Sequence, residues 1–242
     1  MTTIVAGMSA GISARAFSPI QIPNMTCWLS TSDAIVTFSN IVTSITDRKN
    51  SLVFSANPTQ VQYTANDSML GGRPSCTTFS ELGFTFSTNI VPSGSARTVV
   101  SIGRCSSNGG VTLLQMSGEN THRVAFVRLN IGGYLAASGA ANLVIGTSGP
   151  VSTAAKCTIW TMSSTRDITC DEGTGNLVKS GSPLATDDTG STAAGGSLLA
   201  SIPGLFGAQL YSLAELLVYS RVLNATEISS LRKYSNNLYG TT

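Results

Sequence analysis

Apolar residues along this chain recur mostly at every second position, in short runs broken by Gly, Ser and Asn. That is the pattern of antiparallel strands separated by turns. Residues 97–102, 111–116, 123–129, 142–147 and 157–162 each read as a strand. Asn108-Gly109-Gly110 and Gly132-Gly133 supply turns, because glycine takes positive φ at little cost. Ile168-Thr169-Cys170 and Leu177-Val178 flank a further turn at 171–175. Residues 181–196 lack any apolar period and form the longest predicted loop. No internal repeat and no second domain boundary interrupts the series.

The most informative stretch is 210–240. Residues 211–219 read as a strand with Ala214, Leu216 and Val218 on one face and Leu213, Glu215, Leu217 and Tyr219 on the other. Both faces are mostly apolar, which predicts cover on both sides. The period then changes. Asn224, with Glu227 three residues on, makes a capping box, and Leu223 and Ile228 stand where a hydrophobic staple closes. Ile228, Leu231, Tyr234 and Leu238 continue a helical stripe, and Gly240 can end it.

This strand running into a short capped helix resembles the close of the concanavalin A-like (laminin G-like) jelly-roll modules. Earlier segments are similar to that family in the same order. Trp28-Leu29-Ser30-Thr31-Ser32-Asp33 resembles its W-L-x-A-S-D opening. Ile45-Thr46-Asp47-Arg48-Lys49-Asn50 resembles its W-x-D-K-S-G-N turn, with Ile45 where Trp is usual and the glycine missing. Asn57-Pro58-Thr59 and residues 71–79 resemble Q-P-T and N-G-K-P-x-x-x-F. The resemblance spans roughly 20–240, and over 95–205 it is only a generic run of strands. It implies an all-β fold, an antiparallel β-sandwich (concanavalin A-like jelly roll) with a short C-terminal α-helix. Residues 1–19 form an N-terminal arm and 20–242 a single domain.

Composition shifts the emphasis from chemistry to surfaces. Charged residues make up 11% of the chain against 42% hydrophobic, whereas ordinary domains carry about 25% charge. A net charge of +2 without basic clusters leaves no footprint for nucleic acid. So few charges protect a free monomer poorly from self-association, which favours a homo-oligomer or a protein covered in an assembly. The arm carries Ile4, Val5, Met8, Ile12 and Phe17, side chains suited to packing on a partner. Its apolar run is shorter than the ~7–15 residues of a signal peptide core, and no stretch reaches the ~18 of a membrane span. The five cysteines are scattered without a C-x-x-C pair and read as small buried hydrophobes.

The family includes glycosidases, whose paired carboxyls alternate along one strand in an E-x-D-x-x-E pattern. None of the twelve acids here makes such a pair. Asp171-Glu172 and Asp187-Asp188 are adjacent, so on a strand they would point to opposite sides. His122 is the only histidine, which removes multi-histidine metal sites. Asp187-Asp188-Thr189-Gly190 is oxygen-rich, but two carboxylates fall short of the ~6–8 oxygens calcium takes. No cofactor or metal is therefore expected. For glycan binding the candidates are Tyr134 and Asn130, an aromatic and an amide near the Gly132-Gly133 turn. Trp28 and Trp160 lie in strands and are expected in the core.

Modules resembling this one are found in bacteriophage structural proteins. The leading expectation is a non-enzymatic virion protein (head decoration, head fibre or tail-associated), attached to capsid or tail proteins and displaying a glycan-binding surface. The alternative is a stand-alone lectin-like module for host adhesion. Neither involves nucleic acid or membrane.

Overall fold

The computed structural model describes residues 17–57, 60–78, 83–105, 111–116, 124–128, 133–138, 141–147, 153–172, 177–179, 194–200 and 211–241. The chain forms two antiparallel sheets. Strands β1 (Met25–Ser30), β2 (Ala34–Val36), β3 (Val42–Thr46), β4 (Val53–Ala56), β5 (Val61–Asp67) and β6 (Arg73–Thr78) come first. They are followed by β7 (Phe84–Phe86), β8 (Arg97–Cys105), β9 (Val111–Met116), β10 (Val124–Arg128), β11 (Gly133–Ser138) and β12 (Ala141–Thr147). The last are β13 (Lys156–Met162), β14 (Ile168–Asp171), β15 (Leu177–Lys179), β16 (Gly196–Ala200) and β17 (Tyr211–Tyr219), before helix α1 (Ala225–Tyr239). One sheet runs β15-β14-β13-β8-β17-β6-β5, with β1 also paired to β17. The other runs β12-β11-β10-β9-β16-β7-β4-β3-β2. The predicted all-β sandwich with a C-terminal helix is the observed fold.

Between the sheets lies one apolar cluster, in which Phe54 meets Phe86 at 4.8 Å and Phe126 meets Trp160 at 5.5 Å. A second cluster coats the outer side of the first sheet. There Val100, Ile102, Cys157 and Leu217 are covered by Leu231 and Tyr239 of α1 and by Ile22 from the N-terminal side. Two-sided cover explains why every position of β13 and β17 is buried.

The face assignment along β17 needs one correction. Leu213 pairs with Gly103 while Glu215 pairs with Ile102, so Ala214 is an extra residue and forms a β-bulge. The bulge reverses the alternation. Leu213 joins Leu216 and Val218 between the sheets, and Ala214 joins Leu217 and Tyr219 on the outer face. The partner position at Gly103 is tight, because a Cβ there would lie 2.5 Å from the Ser212 carbonyl oxygen and 2.6 Å from the Tyr211 ring.

Helix α1 starts as expected. The Asn224 side chain accepts from the Glu227 amide at 3.0 Å, and Glu227 accepts from the Asn224 amide at 2.9 Å. Arg221 grips the same Glu227 carboxylate through both terminal nitrogens, at 2.8 and 2.5 Å. Together these groups hold the Glu227 carboxyl below its ordinary range. Leu223 is buried, Ile228 packs on the outer cluster, and Gly240 ends the helix at φ 63°.

The Asp47 turn ties β1 to the β3–β4 connection. Its buried carboxylate accepts from the backbone amides of Trp28 (2.6 Å), Lys49 (3.1 Å) and Asn50 (2.6 Å). The Asn50 side chain returns a bond to the Thr26 carbonyl at 2.7 Å. The segment therefore needs an Asp and an Asn for backbone pairing.

Three further expectations change. Gly133 opens a strand rather than serving only as a turn, and Tyr134 stands in β11 opposite Arg128 and Gly146. Trp28 is half-buried on the outer face, whereas Trp160 is fully buried as expected. Phe17, counted with the arm, packs edge-on against Tyr234 of the chain's own helix at 6.2 Å. All five cysteines are buried thiols that form no disulfide. Burial pushes the Cys76 thiol up to about 12 and the Cys157 thiol up to about 11.

Candidate functional site

The bulge places a carboxylate where an apolar strand would not carry one. Glu215 is 2% exposed, in the middle of a strand with no other charge. Burial raises its pKa, and the Tyr239 and Tyr234 hydroxyls, Arg48 and Trp28 oppose that rise. Both carboxylate oxygens accept from the Tyr234 hydroxyl at 3.0 Å. The Tyr234 and Tyr239 hydroxyls are in turn held far above their ordinary pKa by burial and by Glu215, so they remain donors. The Trp28 indole N–H, buried nearby, favours the charged carboxylate without completing a hydrogen bond.

A change of strand partner opens space beside this carboxylate. Ser30, the last residue of β1, stands opposite Glu215, while β6 pairs with β17 only at Ser212 and Leu213. A short 3₁₀ turn, Thr31–Asp33, fills the junction. The Thr31 hydroxyl lies 2.7 Å from the Pro74 carbonyl and 3.1 Å from the carbonyl of the bulge residue Ala214. These contacts satisfy backbone oxygens that the broken ladder leaves open.

What remains is a pocket of about 140 Å³ whose polar lining includes Ser30, Ser32, Arg48, Arg73, Glu215 and Tyr234. Arg48 is fixed from three sides. It forks onto Asp33 at 2.5 and 3.0 Å, donates to Ser32 Oγ at 2.8 Å, and stacks 4.9 Å from the Trp28 ring centre. Asp33 raises its pKa further, so it stays cationic. The Ser30 and Ser32 hydroxyls are 2.8 Å apart. Arg73 is exposed at the mouth and makes no side-chain hydrogen bond or ion pair among the described residues. Two guanidiniums, Arg48 and Arg73, thus offset two carboxylates, Asp33 and Glu215. Asp33 is held by Arg48 and does not line the pocket, so Glu215 supplies the carboxylate on its lining.

The residues singled out in the sequence fall elsewhere. Tyr134 is on the other sheet, and Asn130, His122, Asp187, Asp188 and the arm residues Ile4, Val5, Met8 and Ile12 lie outside the described residues. Asp171 pairs with Arg232 of α1 at 2.6 Å and so ties helix to sheet. Among the described residues no three His, Cys, Asp or Glu side chains gather as a metal-ion site. Glu215 carried one sequence signal, being a lone acid in an apolar strand.

No family profile and no curated protein matches the sequence. Solved structures do match in fold. Domain 4 of AbnA, a GH43 extracellular arabinanase from Geobacillus stearothermophilus, in complex with arabinotriose, has a TM-score of 0.61 at 13% identity. That match covers 86% of this chain and 98% of the domain. The binding domain of Paraclostridial Mosquitocidal Protein 1 has a TM-score of 0.59 at 15% identity, covering 88% and 52%. Trypanosoma rangeli sialidase in complex with sialic acid has a TM-score of 0.60 at 13% identity, covering 87% of this chain and 33% of the sialidase. This chain spans about a third of the sialidase's length, and at such identity the likeness is one of fold.

Proposed function

We propose that this chain is a non-enzymatic, carbohydrate-binding β-sandwich module. The observation that carries the reading is the charge-balanced polar pocket at Glu215, on a fold shared with an arabinanase domain holding arabinotriose. The pocket offers one open carboxylate acceptor, whereas retaining glycoside cleavage needs two carboxyls about 5–5.5 Å apart. Binding without turnover is what such a site supports. A glycan array on purified protein tests it, and a blank array would sink the reading. Reducing-sugar release abolished by one acid-to-amide change would overturn the non-enzymatic part.

We further propose that the module works on a bacteriophage particle, as a head-decoration, head-fibre or tail-associated protein made in the host cytoplasm. The alternative setting is stand-alone host adhesion. The low charge and the arm support the particle. Phe17 enters the fold beside a groove of about 610 Å³ along α1, lined by Ser230, Lys233, Tyr234, Asn237 and Leu238. Residues 1–16, with Ile4, Val5, Met8 and Ile12, would order against another subunit or a capsid or tail protein. Their deletion should leave the circular dichroism spectrum intact and prevent incorporation into particles. Normal incorporation of the truncated chain would rule the arm out as the attachment device. Tyr134, on the sheet away from the pocket, and Asn130 remain a proposed second glycan contact.

A further inference from the structure

We propose that the Glu215 pocket holds a single uncharged sugar ring, the terminal residue of a glycan, recognised through its hydroxyl groups. This rests on the reading of the module as carbohydrate-binding and names the site and ligand class.

Size sets the first limit. Pockets for drug-sized ligands run to ~300–1,000 Å³, and this pocket is about 140 Å³. It admits one ring end-on and no chain running through. Charge sets the second. A cationic group entering would meet Arg48 and Arg73, and an anionic group would meet the buried Glu215. A neutral ligand escapes both penalties.

Hydrogen-bonding capacity then selects hydroxyls. A carboxylate has about four acceptor sites; Tyr234 donates to both Glu215 oxygens and the Tyr239 hydroxyl also bonds the group, which leaves acceptor capacity on the pocket side. Among the described residues Arg73 engages none of its side-chain donors, and Ser30 and Ser32 can each donate or accept. A sugar hydroxyl can donate to Glu215 while its neighbour accepts from Arg73, which alkyl groups cannot reproduce. Stacking is not the mode here, because Arg48 already covers the Trp28 face. Recognition that depends on buried polar groups rejects ligands lacking the matching hydroxyl.

The test uses the full chain with the methyl glycosides of glucose, galactose, mannose, arabinose and N-acetylglucosamine, with free sialic acid as the charged probe. Two-dimensional ¹H–¹⁵N spectra resolve just two indole signals, from Trp28 beside the pocket and Trp160 in the core. At least one neutral glycoside should shift the Trp28 indole signal and leave that of Trp160 in place. Arg73→Ala, which loses no internal bond, should weaken that binding at least about tenfold with an unchanged melting temperature. Glu215→Gln, nearly the same in shape, should weaken it comparably. Binding that survives both substitutions would show that sugar is held elsewhere, sparing the module reading while overturning the pocket. Binding of sialic acid alone would overturn the neutral-ring assignment. No shift with any probe, together with a blank glycan array, would overturn the module reading and the pocket with it.

Discussion

Asp47→Ala should be among the most damaging single changes outside the apolar core. The carboxylate is 2% exposed and accepts three backbone amides, two of them at 2.6 Å. Hydrogen bonds to a charged group contribute about 1.5–3 kcal/mol each, but removal rarely forfeits the full sum. Lys49 and Asn50 are exposed, so their amides regain water once the side chain is gone. The Trp28 amide lies within β1 on a half-buried residue, and stranding it costs about 1–3 kcal/mol. Relief of burying a charge returns part of the total. The net is about 3 kcal/mol, or roughly 6–12 °C in melting temperature for a domain this size. Asp47→Asn keeps one acceptor oxygen and should lose about half as much. Thermal melts by circular dichroism at neutral pH give both numbers. If Asp47→Ala melts within about 1 °C of the parent, the turn does not hold β1 in place and the reasoning fails.

Other substitutions probe the pocket and the helix. Because burial raises the Glu215 pKa, its contribution to stability is complete below its unfolded value of about 4.3 and is lost as pH rises through the folded value. Glu215→Gln should therefore gain on the parent in melting temperature from pH 4 to pH 8, and a difference independent of pH would contradict this. Asn224→Ala removes one cap bond but leaves Glu227 held by Arg221 and the Asn224 amide, so about 1 kcal/mol should be lost. An unshifted melt would deny the cap any role. Gly103→Ala forces a methyl onto a backbone oxygen 2.5 Å away, and a loss of about 1–3 kcal/mol is expected in denaturant titration. An unchanged midpoint would mean that β8 and β17 can shift apart freely.

The fold was legible wherever local chemistry and periodicity agreed. The Asn224–Glu227 box, the Leu223 staple and the Gly240 stop all lie between residues 223 and 240, and each is a local interaction that sequence spacing reports directly. The two-sided burial of β17 was legible for the same reason. Its exact facing was not, because one inserted residue at Ala214 inverts the alternation and is invisible to a period-two reading. That Tyr134 stands within β11 was not legible, because Gly133 reads as a turn whether it ends or begins a strand. The pocket was least legible. Its parts come from segments as far apart as Thr31 and Ala214, 183 residues distant, and only the topology brings them together. The lone acid at 215 was the one visible trace.

The pairing of β1 with β17 also dictates an order of events during synthesis. Thr26 and Val218, bonded across that ladder, are separated by 192 residues, and β17 supplies the neighbour that β8, β6 and β1 all lack until it arrives. Loop-closure entropy must be met before such distant pairing is rewarded, so the first sheet closes late and slowly. Until then β8, buried at nearly every position in the finished fold, presents an unpaired edge. A nascent chain stalled before residue 211 should therefore be held by chaperones or aggregate, because emergence of β17, rather than hairpin formation, sets when the first sheet acquires its native core.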